Sequence, residues 1–390
     1  MSNLKDLYLN ISMLSVFHSL KSQPLFLHFL DFCSAKEQGD MVKAYSNMLA
    51  EIYREGGSLT DLVRRMVFED ECVYIKMRAE GKSVPEVISD AVEHELDVIG
   101  KFASLSSNDF MDILSIDYLP SFNSEKCDLC AEYETRIKDI KRYGYGIFAS
   151  HPMFRVDAKG DITPVLSADT VSLDSFIGYE SERAAVVENT LDFIGGKPAA
   201  NVLLYGDAGT GKSSTVKAVV NQYYDSGLRL VELRKDQLGL LPYVLGRIRG
   251  NPLKFIIFID DLSFNNNDDN FSMLKAALEG SASAREGNAV IYATSNRRHI
   301  VRESFDDRGG DDVHRNDTMQ EQLSLSARFG LSVMFQRPSK QLYLSIIHSL
   351  AERYGISCDQ TELDIRAEEF ALRKGSRSPR CAEQFIKSLL

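Results

Sequence analysis

Apolar residues recur at steps of three and four along the first 145 positions, which is the spacing of one face of an α-helix. The spacing is clearest over residues 35–54, 59–77 and 84–103, and glycines separate these stretches. In the third stretch one apolar stripe comprises Val87, Ile88, Val92, Leu96, Ile99 and Phe102. We therefore predict a helical N-terminal region, residues 1–145, in which such stripes form the core.

The pattern changes after residue 145. Residues 146–174 contain Pro152, Pro164 and several Gly and Asp residues, a composition typical of a connecting segment. We predict a linker here, with short extended pieces at Gly146–Phe148 and Arg155–Asp157.

Short apolar runs of strand length alternate with helical patterns over residues 175–337. The runs are 201–205, 228–232, 254–260, 289–293 and 331–335. Such alternation predicts a mostly parallel, five-stranded sheet that is buried between two layers of helices. After Pro338 the pattern is helical again, so we expect a small helical subdomain over residues 338–390, which we call the lid.

The composition is that of an ordinary globular protein, with 44% hydrophobic and 26% charged residues. The net charge of −11 counts against broad nucleic-acid binding, which usually needs a basic face. We find neither a run of about 18 apolar residues nor the pattern of a signal peptide, so we expect a cytoplasmic chain without a membrane span. Six cysteines are too few for a disulfide scaffold.

Cys127 and Cys130 form a C-x-x-C pair. A structural zinc site needs about four ligands, and the sequence holds no second such pair. Two ordinary thiols are therefore a better interpretation than a metal or redox site.

One motif carries specific chemistry. The segment Gly206-Asp-Ala-Gly-Thr-Gly-Lys-Ser213 fits the phosphate-binding pattern G-x-x-x-x-G-K-[ST], between an apolar strand and a helical pattern. Its glycines allow the backbone N–H groups to turn toward phosphates, Lys212 supplies positive charge, and the hydroxyl of Ser213 suits Mg²⁺. We assign ATP binding to Gly206, Asp207, Ala208, Gly209, Thr210, Gly211, Lys212, Ser213 and Ser214, with ATP and Mg²⁺ as cofactors.

A second part of this site follows 48 residues after Lys212. The apolar run 254–259 ends in two carboxylates, Asp260 and Asp261, and ligands bind at the carboxyl ends of strands in open α/β folds. We predict that Asp260 and Ser213 hold Mg²⁺, and that Asp261 orients the attacking water. For Asp261, a carboxylate that merely ends a strand is the alternative.

These residues resemble those of AAA+ ATPases, and three further segments extend the resemblance over residues 175–390. Asn296, after the run 289–293, resembles the sensor-1 residue, and Arg328 lies in a segment that resembles the arginine-finger region. Arg380, in the lid, resembles sensor-2, and Phe176–Glu180 resembles the turn beside the adenine. The resemblance implies catalytic roles for Asp260, Asp261, Asn296, Arg328 and Arg380. The alternatives are a surface charge for Arg328 and an ion pair within the lid for Arg380.

Segments such as 178–180, 260–264 and 293–299 resemble more narrowly a bacterial AAA+ family known as domain of unknown function 815. One departure from most AAA+ hydrolases is Asp261, where those proteins have Glu. Aspartate is one methylene shorter, so another carboxylate such as Glu279 or Glu303 could serve instead. Slow hydrolysis, or switching by binding alone, is therefore an open alternative.

The resemblance implies a P-loop NTPase sandwich that works as a homo-oligomer, with a hexamer as one candidate. Its implied function is ATP hydrolysis at subunit interfaces to remodel or regulate an unknown protein client. Residues 1–145 or the acidic segment 303–322 are candidates for binding that client. The basic cluster 297–299 could contact a neighbouring subunit, but a solvated turn is the simpler interpretation. A nucleotide-gated scaffold and a DNA-associated AAA+ factor are the alternatives.

Overall fold

The structure is a computed structural model that describes residues 2–114, 116, 118–166, 171–262, 273–275, 278, 287–296 and 328–390. It divides into two compact units. The first comprises Met1–Ser150 with Gly250–Leu253, and the second comprises His151–Arg249 with Lys254–Leu390.

The first unit is helical. Its helices are α1 (Ser2–Ser12), α2 (Pro24–Ser34), α3 (Gln38–Arg54), α4 (Leu59–Glu69), α5 (Val73–Ala79), α6 (Glu86–Ala103), α7 (Ser107–Leu114), α8 (Leu129–Lys138) and α9 (Ile140–Tyr143). Phenylalanine rings pack together in its core: Phe26 and Phe29 of α2 each lie with their ring centroids 4.8 Å from that of Phe102 on α6. The predicted stripe is buried at Val92, Leu96, Ile99 and Phe102, whereas Val87 is exposed.

The second unit is built on one sheet. Its strands are β1 (Met153–Val156), β2 (Ile162–Pro164), β3 (Val202–Gly206), β4 (Leu228–Glu232), β5 (Lys254–Ile259), β6 (Ala289–Ser295) and β7 (Leu331–Phe335). They lie in the order β2-β1-β4-β5-β6-β3-β7, and only the β1–β2 pairing is antiparallel. The predicted class, a mostly parallel P-loop sandwich, is confirmed.

The strand count of five was wrong, because the sheet has seven strands. The two additional strands, β1 and β2, come from the segment expected as a linker. They are four and three residues long, too short to be assigned to the sheet from their own pattern. The predicted extended piece Arg155–Asp157 overlaps β1, which is a strand because it pairs with β4. Gly146–Ala149, part of which we predicted as extended, forms a 3₁₀ turn instead.

Helices α10 (Glu180–Ile194) and α11 (Lys212–Tyr223) pack on one face of the sheet, and α12 (Leu241–Ile248) precedes β5. On β5, Ile256 and Phe258 pack in the same cluster as α11, and the alternate residues Phe255 and Ile257 are also fully buried. Both faces of this central strand are therefore covered, as in a three-layer arrangement.

The chain ends in three helices, α13 (Lys340–Arg353), α14 (Gln360–Lys374) and α15 (Pro379–Lys387). They have a core of their own, which includes Tyr343, Ile347, Ala367, Ala382 and Ile386. Within the described part of the chain, we find no helix that is both long and apolar enough to cross a bilayer.

Candidate functional site

The phosphate loop connects the end of β3 to the start of α11. Gly206, Gly209 and Gly211 all have positive φ, between 76° and 127°, which a side chain would strain. Gly206 has no space either, because a Cβ there would lie 2.1 Å from the carbonyl oxygen of Phe335 on β7. A Cβ on Gly211 would meet nothing within 4 Å, so the loop is open on that side.

The backbone N–H groups of residues 209–213 have no backbone acceptor among the described residues. Helix α11 begins at Lys212, so its first N–H groups lie at the same place as those of the loop. Such a set of unpaired donors at a helix N-terminus binds anions. The residues present therefore fit a phosphate group.

Lys212 lies inside this loop and is only 6% exposed. Its ammonium donates to the carbonyl oxygens of Gly206 (2.8 Å) and Asp207 (2.7 Å) and to Oδ1 of Asn296 (3.2 Å). Burial lowers the pKa of Lys212, although Asp207, Asp260 and Asp261 act against this. The loop thus holds a buried cation whose present partners are neutral oxygens, and an anionic ligand would replace them favourably.

Asp260 follows β5 and lies beside the start of α11. Its Oδ1 accepts hydrogen bonds from the hydroxyls of Ser213 (2.6 Å) and Thr294 (2.5 Å) and from the N–H of Asp261 (3.1 Å). A serine hydroxyl next to a carboxylate is a donor set that Mg²⁺ accepts when phosphate oxygens and water complete its shell. The residues present therefore fit Mg²⁺.

Asp261 and Asn296 form a second polar pair at the same edge of the sheet. Asp261 has φ of 51°, and its N–H also donates to the hydroxyl of Thr294 (2.9 Å). Asn296 donates through Nδ2 to Oδ1 of Asp261 (2.8 Å) and accepts from Lys212 through Oδ1. Asn296 therefore connects the lysine of the phosphate loop with the second carboxylate.

The lid reaches the phosphate loop at α15. Ser378 caps this helix by accepting from the N–H of Cys381, and the N–H of Arg380 donates to the carbonyl of Gly209 (3.2 Å). The guanidinium of Arg380 is close enough to contribute to the lowered pKa of Lys212. Within the lid, the carboxylate of Glu368 accepts a hydrogen bond from Arg377 (2.7 Å) and not from Arg380.

The arginine-finger candidate lies elsewhere. Arg328 precedes β7, at the amino ends of the parallel strands, whereas the phosphate loop is at their carboxyl ends. Because β7 is five residues long, about 16 Å separates the amino ends of the strands from their carboxyl ends. Among the predicted catalytic residues that the structure describes, Arg328 is therefore the one that is not brought to the phosphate loop of its own chain.

The predicted adenine-side turn is held in an unusual conformation. Tyr179 has φ of 62°, and its ring stacks on that of Phe335 with centroids 5.4 Å apart. Gly178 lies against the lid, because a Cβ there would be 2.8 Å from Leu342. This turn thus packs between the last strand and the first lid helix.

The remaining sequence predictions fall on other places. Glu279, Glu303, the cluster 297–299 and the segment 303–322 lie outside the described residues. Burial raises the pKa values of Cys127 and Cys130. In the ranges that the structure covers, no group of three or more His, Cys, Asp or Glu side chains is placed to hold a metal ion.

Two residues that contribute to the site were not assigned from the sequence. Thr294 bonds to both carboxylate residues, and the N–H of Arg337 donates to the carboxylate of Asp207 (2.9 Å). The signal available in the sequence was a hydroxyl residue directly after the apolar run 289–293 and two positions before Asn296.

The family described as Protein of unknown function (DUF815) matches residues 149–390. Proteasome-activating nucleotidase 2 of Haloferax volcanii is 26% identical over 231 residues, which cover 55% of this chain and 53% of that protein. The 26S proteasome regulatory subunit 4 homolog of Saccharomyces cerevisiae is 27% identical over 248 residues, 57% of this chain and 54% of that protein. The chain thus spans about half the length of these curated relatives.

Among solved structures, a variant of RuvB from Thermotoga maritima matches with a TM-score of 0.38 and 17% identity, over 55% of this chain and 63% of that chain. The AAA domain of FIGL-1 in complex with ADP matches with a TM-score of 0.37 and 18% identity, over 51% of this chain and 67% of that chain. The family match covers more than half of this chain, and both resemblances inferred from the motifs are confirmed. The chain belongs to the DUF815 family and has the P-loop fold of AAA+ proteins.

Proposed function

We propose that this chain binds ATP with Mg²⁺ and hydrolyses it to ADP and phosphate. The observation that carries the proposal is the convergence of Lys212, Ser213, Asp260, Asp261 and Asn296 at one edge of the sheet, through direct hydrogen bonds. The curated relatives include a nucleotidase, which supports the same chemistry.

Each side chain has a distinct task in this proposal. The ammonium of Lys212 exchanges the carbonyl oxygens of Gly206 and Asp207 for phosphate oxygens, and the N–H groups of the loop bind the remaining phosphate charge. Ser213 and Asp260 hold Mg²⁺, which when bound neutralises negative charge that develops on the phosphates.

In this proposal, Asp261 and Asn296 orient the attacking water. A carboxylate can accept a proton or a hydrogen bond from water, and the amide of Asn296 fixes that carboxylate at 2.8 Å. Because Asn296 also contacts Lys212, the water-orienting pair responds to the group that binds the phosphates.

Magnesium-dependent ATP binding is the first test. Calorimetry should give a Kd for wild type that Lys212→Ala weakens about 100-fold, since a charge-assisted contact worth about 2.7 kcal/mol is lost. Lys217→Ala, one turn further along α11, is the control, because Lys217 contacts Glu232 instead of the loop. Equal affinity for wild type and Lys212→Ala would refute the proposed site.

A nucleotide-gated scaffold with little hydrolysis is the second candidate, and the shorter side chain of Asp261 favours it. A displacement of about 1 Å at a reacting group can reduce the rate about 100-fold. Phosphate release by wild type and Asp261→Asn separates the two functions. Turnover that Asp261→Asn abolishes supports the ATPase, whereas equally negligible release by both proteins supports the scaffold.

We further propose that the ATPase is a homo-oligomer that remodels or regulates a protein partner. The names of the curated relatives, a proteasome-activating nucleotidase and a proteasome regulatory subunit, support a protein partner. Asp261→Asn protein held in ATP is the form with which to capture it, since its bound state is prolonged. Lys212→Ala protein, which should not bind ATP, is the matched control for capture.

A further inference from the structure

One peptide group connects the sheet to the lid and is bonded at both ends. It joins Gln336 to Arg337, directly after β7. Its carbonyl oxygen accepts from the hydroxyl of Tyr179 (2.5 Å), and its N–H donates to Oδ2 of Asp207 (2.9 Å). We call it the linker peptide, which is distinct from the segment 146–174 that we predicted as a linker. It is thus held by the adenine-side turn and by the phosphate loop together.

The linker peptide also has a connection into the lid. The guanidinium of Arg337 donates to the carbonyl of Gly375 (2.9 Å). Gly375 ends α14 with φ of 70°, and α15, which begins at Pro379, carries Arg380. A change in the direction of the linker peptide would therefore be passed to the segment that places Arg380 over the phosphate loop.

Asp207 touches both the linker peptide and the phosphate-binding cation. Its carbonyl accepts from the ammonium of Lys212 (2.7 Å) and from the hydroxyl of Thr210 (2.8 Å), while its carboxylate accepts from Arg337. The motif leaves the residue type free at position 207, so phosphate binding alone does not call for a carboxylate.

Binding of a triphosphate must change the contacts of Lys212. The ammonium of Lys212 has three N–H donors, and all three have acceptors in this structure. A phosphate oxygen can be bound only when at least one of these bonds is given up or shared. The carbonyl of Asp207 is one of these three acceptors, so loss of its bond to Lys212 when the site fills would change the surroundings of residue 207.

We propose that Asp207 is a positioning residue whose carboxylate couples occupancy of the phosphate loop to the placement of the lid. This inference rests on the proposed function, because it takes ATP as the ligand that withdraws Lys212. It gives the phosphate loop a connection to the lid, through Arg337 and Gly375, that is separate from the contact at Arg380. Tyr179 holds the other end of the linker peptide without touching Lys212, so it fixes the peptide but does not sense the phosphates.

Hydrogen exchange of the Arg337 amide tests the contact before any nucleotide is added. Asp207→Ala should raise the exchange rate at least tenfold in the nucleotide-free protein, because the acceptor of that N–H is lost. Asp207→Asn retains a side-chain oxygen acceptor and should restore most of the protection. An unchanged exchange rate in Asp207→Ala would overturn the inference whatever the protein binds.

The coupling is tested with ATP in a double-mutant cycle. Asp207→Ala and Arg380→Ala should each weaken ATP binding about tenfold, and the effect of Arg380→Ala should shrink in the Asp207→Ala background. Strictly additive effects would overturn the coupling. Lys217→Ala is the control, since Lys217 contacts Glu232 and this change should leave the ATP-induced change in exchange at Arg337 intact.

The two proposals fail in different ways. Wild-type protein that binds no ATP but loses Arg337 protection in Asp207→Ala would refute the proposed function, and with it the coupling to nucleotide. Wild-type protein that binds ATP, with the same Arg337 exchange in both states, would refute only the coupling.

Discussion

At the scale of single residues, the hydroxyl of Thr294 orients both acidic residues of the site. It donates to the carboxylate of Asp260 and accepts from the N–H of Asp261, and the side chain is only 2% exposed. A buried group that bonds to metal-binding residues fixes their orientation without touching the metal.

Thr294→Val should therefore weaken the affinity of the site for Mg²⁺ by about 10–100-fold, so that nucleotide binding and turnover need more Mg²⁺. Nucleotide binding without Mg²⁺ should change little. Valine has nearly the same shape but lacks the hydroxyl. Titration of Mg²⁺ at fixed ATP measures the effect, and Thr294→Ser, which restores the hydroxyl, should recover most of it. A Mg²⁺ titration of Thr294→Val that matches wild type would contradict this role.

The lowered pKa of Lys212 predicts a pH dependence. Burial moves its pKa below the ordinary lysine value of 10.5, and only the protonated ammonium binds phosphate well. ATP affinity should therefore fall by up to about tenfold per pH unit once the pH exceeds this lowered pKa. Calorimetry from pH 7 to 10.5 would measure it.

Lys212→Arg is the comparison, since a guanidinium stays charged over that range. Whatever its affinity for ATP at neutral pH, Lys212→Arg should show no fall in ATP affinity as the pH rises to 10.5. A decline of equal size in both proteins would assign the pH dependence to another group.

The residue scale also separates what the sequence could predict from what it could not. Lys212 and Ser213 were found because the motif is contiguous, and Asp260 because it directly ends an apolar run. The contacts of Thr294 and of the Asp207 carboxylate join residues 34 and 130 positions apart. Such pairings depend on strand order, which residue spacing does not encode.

At the scale of elements, Gly206 sets how closely β3 approaches β7. A Cβ at this position would lie 2.1 Å from the backbone oxygen of Phe335, in a strand that cannot move without breaking its ladder. Gly206→Ala should destabilise the protein by about 3 kcal/mol, from this clash and from positive φ together. Denaturant unfolding measures the loss.

Gly246→Ala is the matched control within the same unit. Gly246 lies inside α12, where a Cβ would meet nothing within 4 Å, so this change should stabilise the helix by about 0.5–1 kcal/mol. Similar effects of the two substitutions would show that contact with Phe335 does not decide the cost.

Helix α6 holds the turn after α1 through one buried carboxylate. Glu95, 5% exposed, accepts from the N–H groups of Ser15 (2.7 Å), Val16 (3.1 Å) and Phe17 (2.9 Å). Glu95→Ala leaves these donors without their acceptor and should destabilise the first unit by about 3 kcal/mol. Glu93→Ala, an exposed site on the same helix, should change stability by less than about 0.5 kcal/mol in the same unfolding measurement.

Element prediction worked where the apolar pattern was long. The five runs from 201 to 335 all became strands, and the helical stripes of the first 103 residues became helices. The predicted extended piece Arg155–Asp157 overlaps β1, but the pattern placed neither β1 nor β2 in the sheet, because β1 joins it by pairing with β4 and β2 by pairing with β1. Proline at 164 is tolerated since β2 is an edge strand.

At the scale of the whole molecule, Arg328 and the phosphate loop lie at opposite ends of the parallel strands of one sheet. If Arg328 acts in catalysis, it must therefore serve a second copy of the chain, and each complete site needs two subunits. Such head-to-tail contacts form a ring when the rotation between successive subunits closes.

Mixing two inactive variants tests this arrangement. Lys212→Ala subunits keep Arg328, and Arg328→Ala subunits keep the phosphate loop, so about a quarter of the interfaces in an equal mixture are complete. The mixture should recover about that share of the wild-type ATPase rate, although each variant alone is nearly inactive. A mixture no more active than its components would argue against a shared site.

The first unit includes Gly250–Leu253, a short excursion of the chain between α12 and β5. Leu253 is fully buried there, against Gly144, and the side-chain amide of Asn251 donates to the carbonyl of Tyr145 (3.1 Å). Neither unit can therefore be excised as one uninterrupted stretch. A truncated protein that starts at His151 would keep these four residues but lose the residues around them. Leu253 would then be exposed to solvent, which favours aggregation. Engineers who wish to separate the two halves must also redesign this turn.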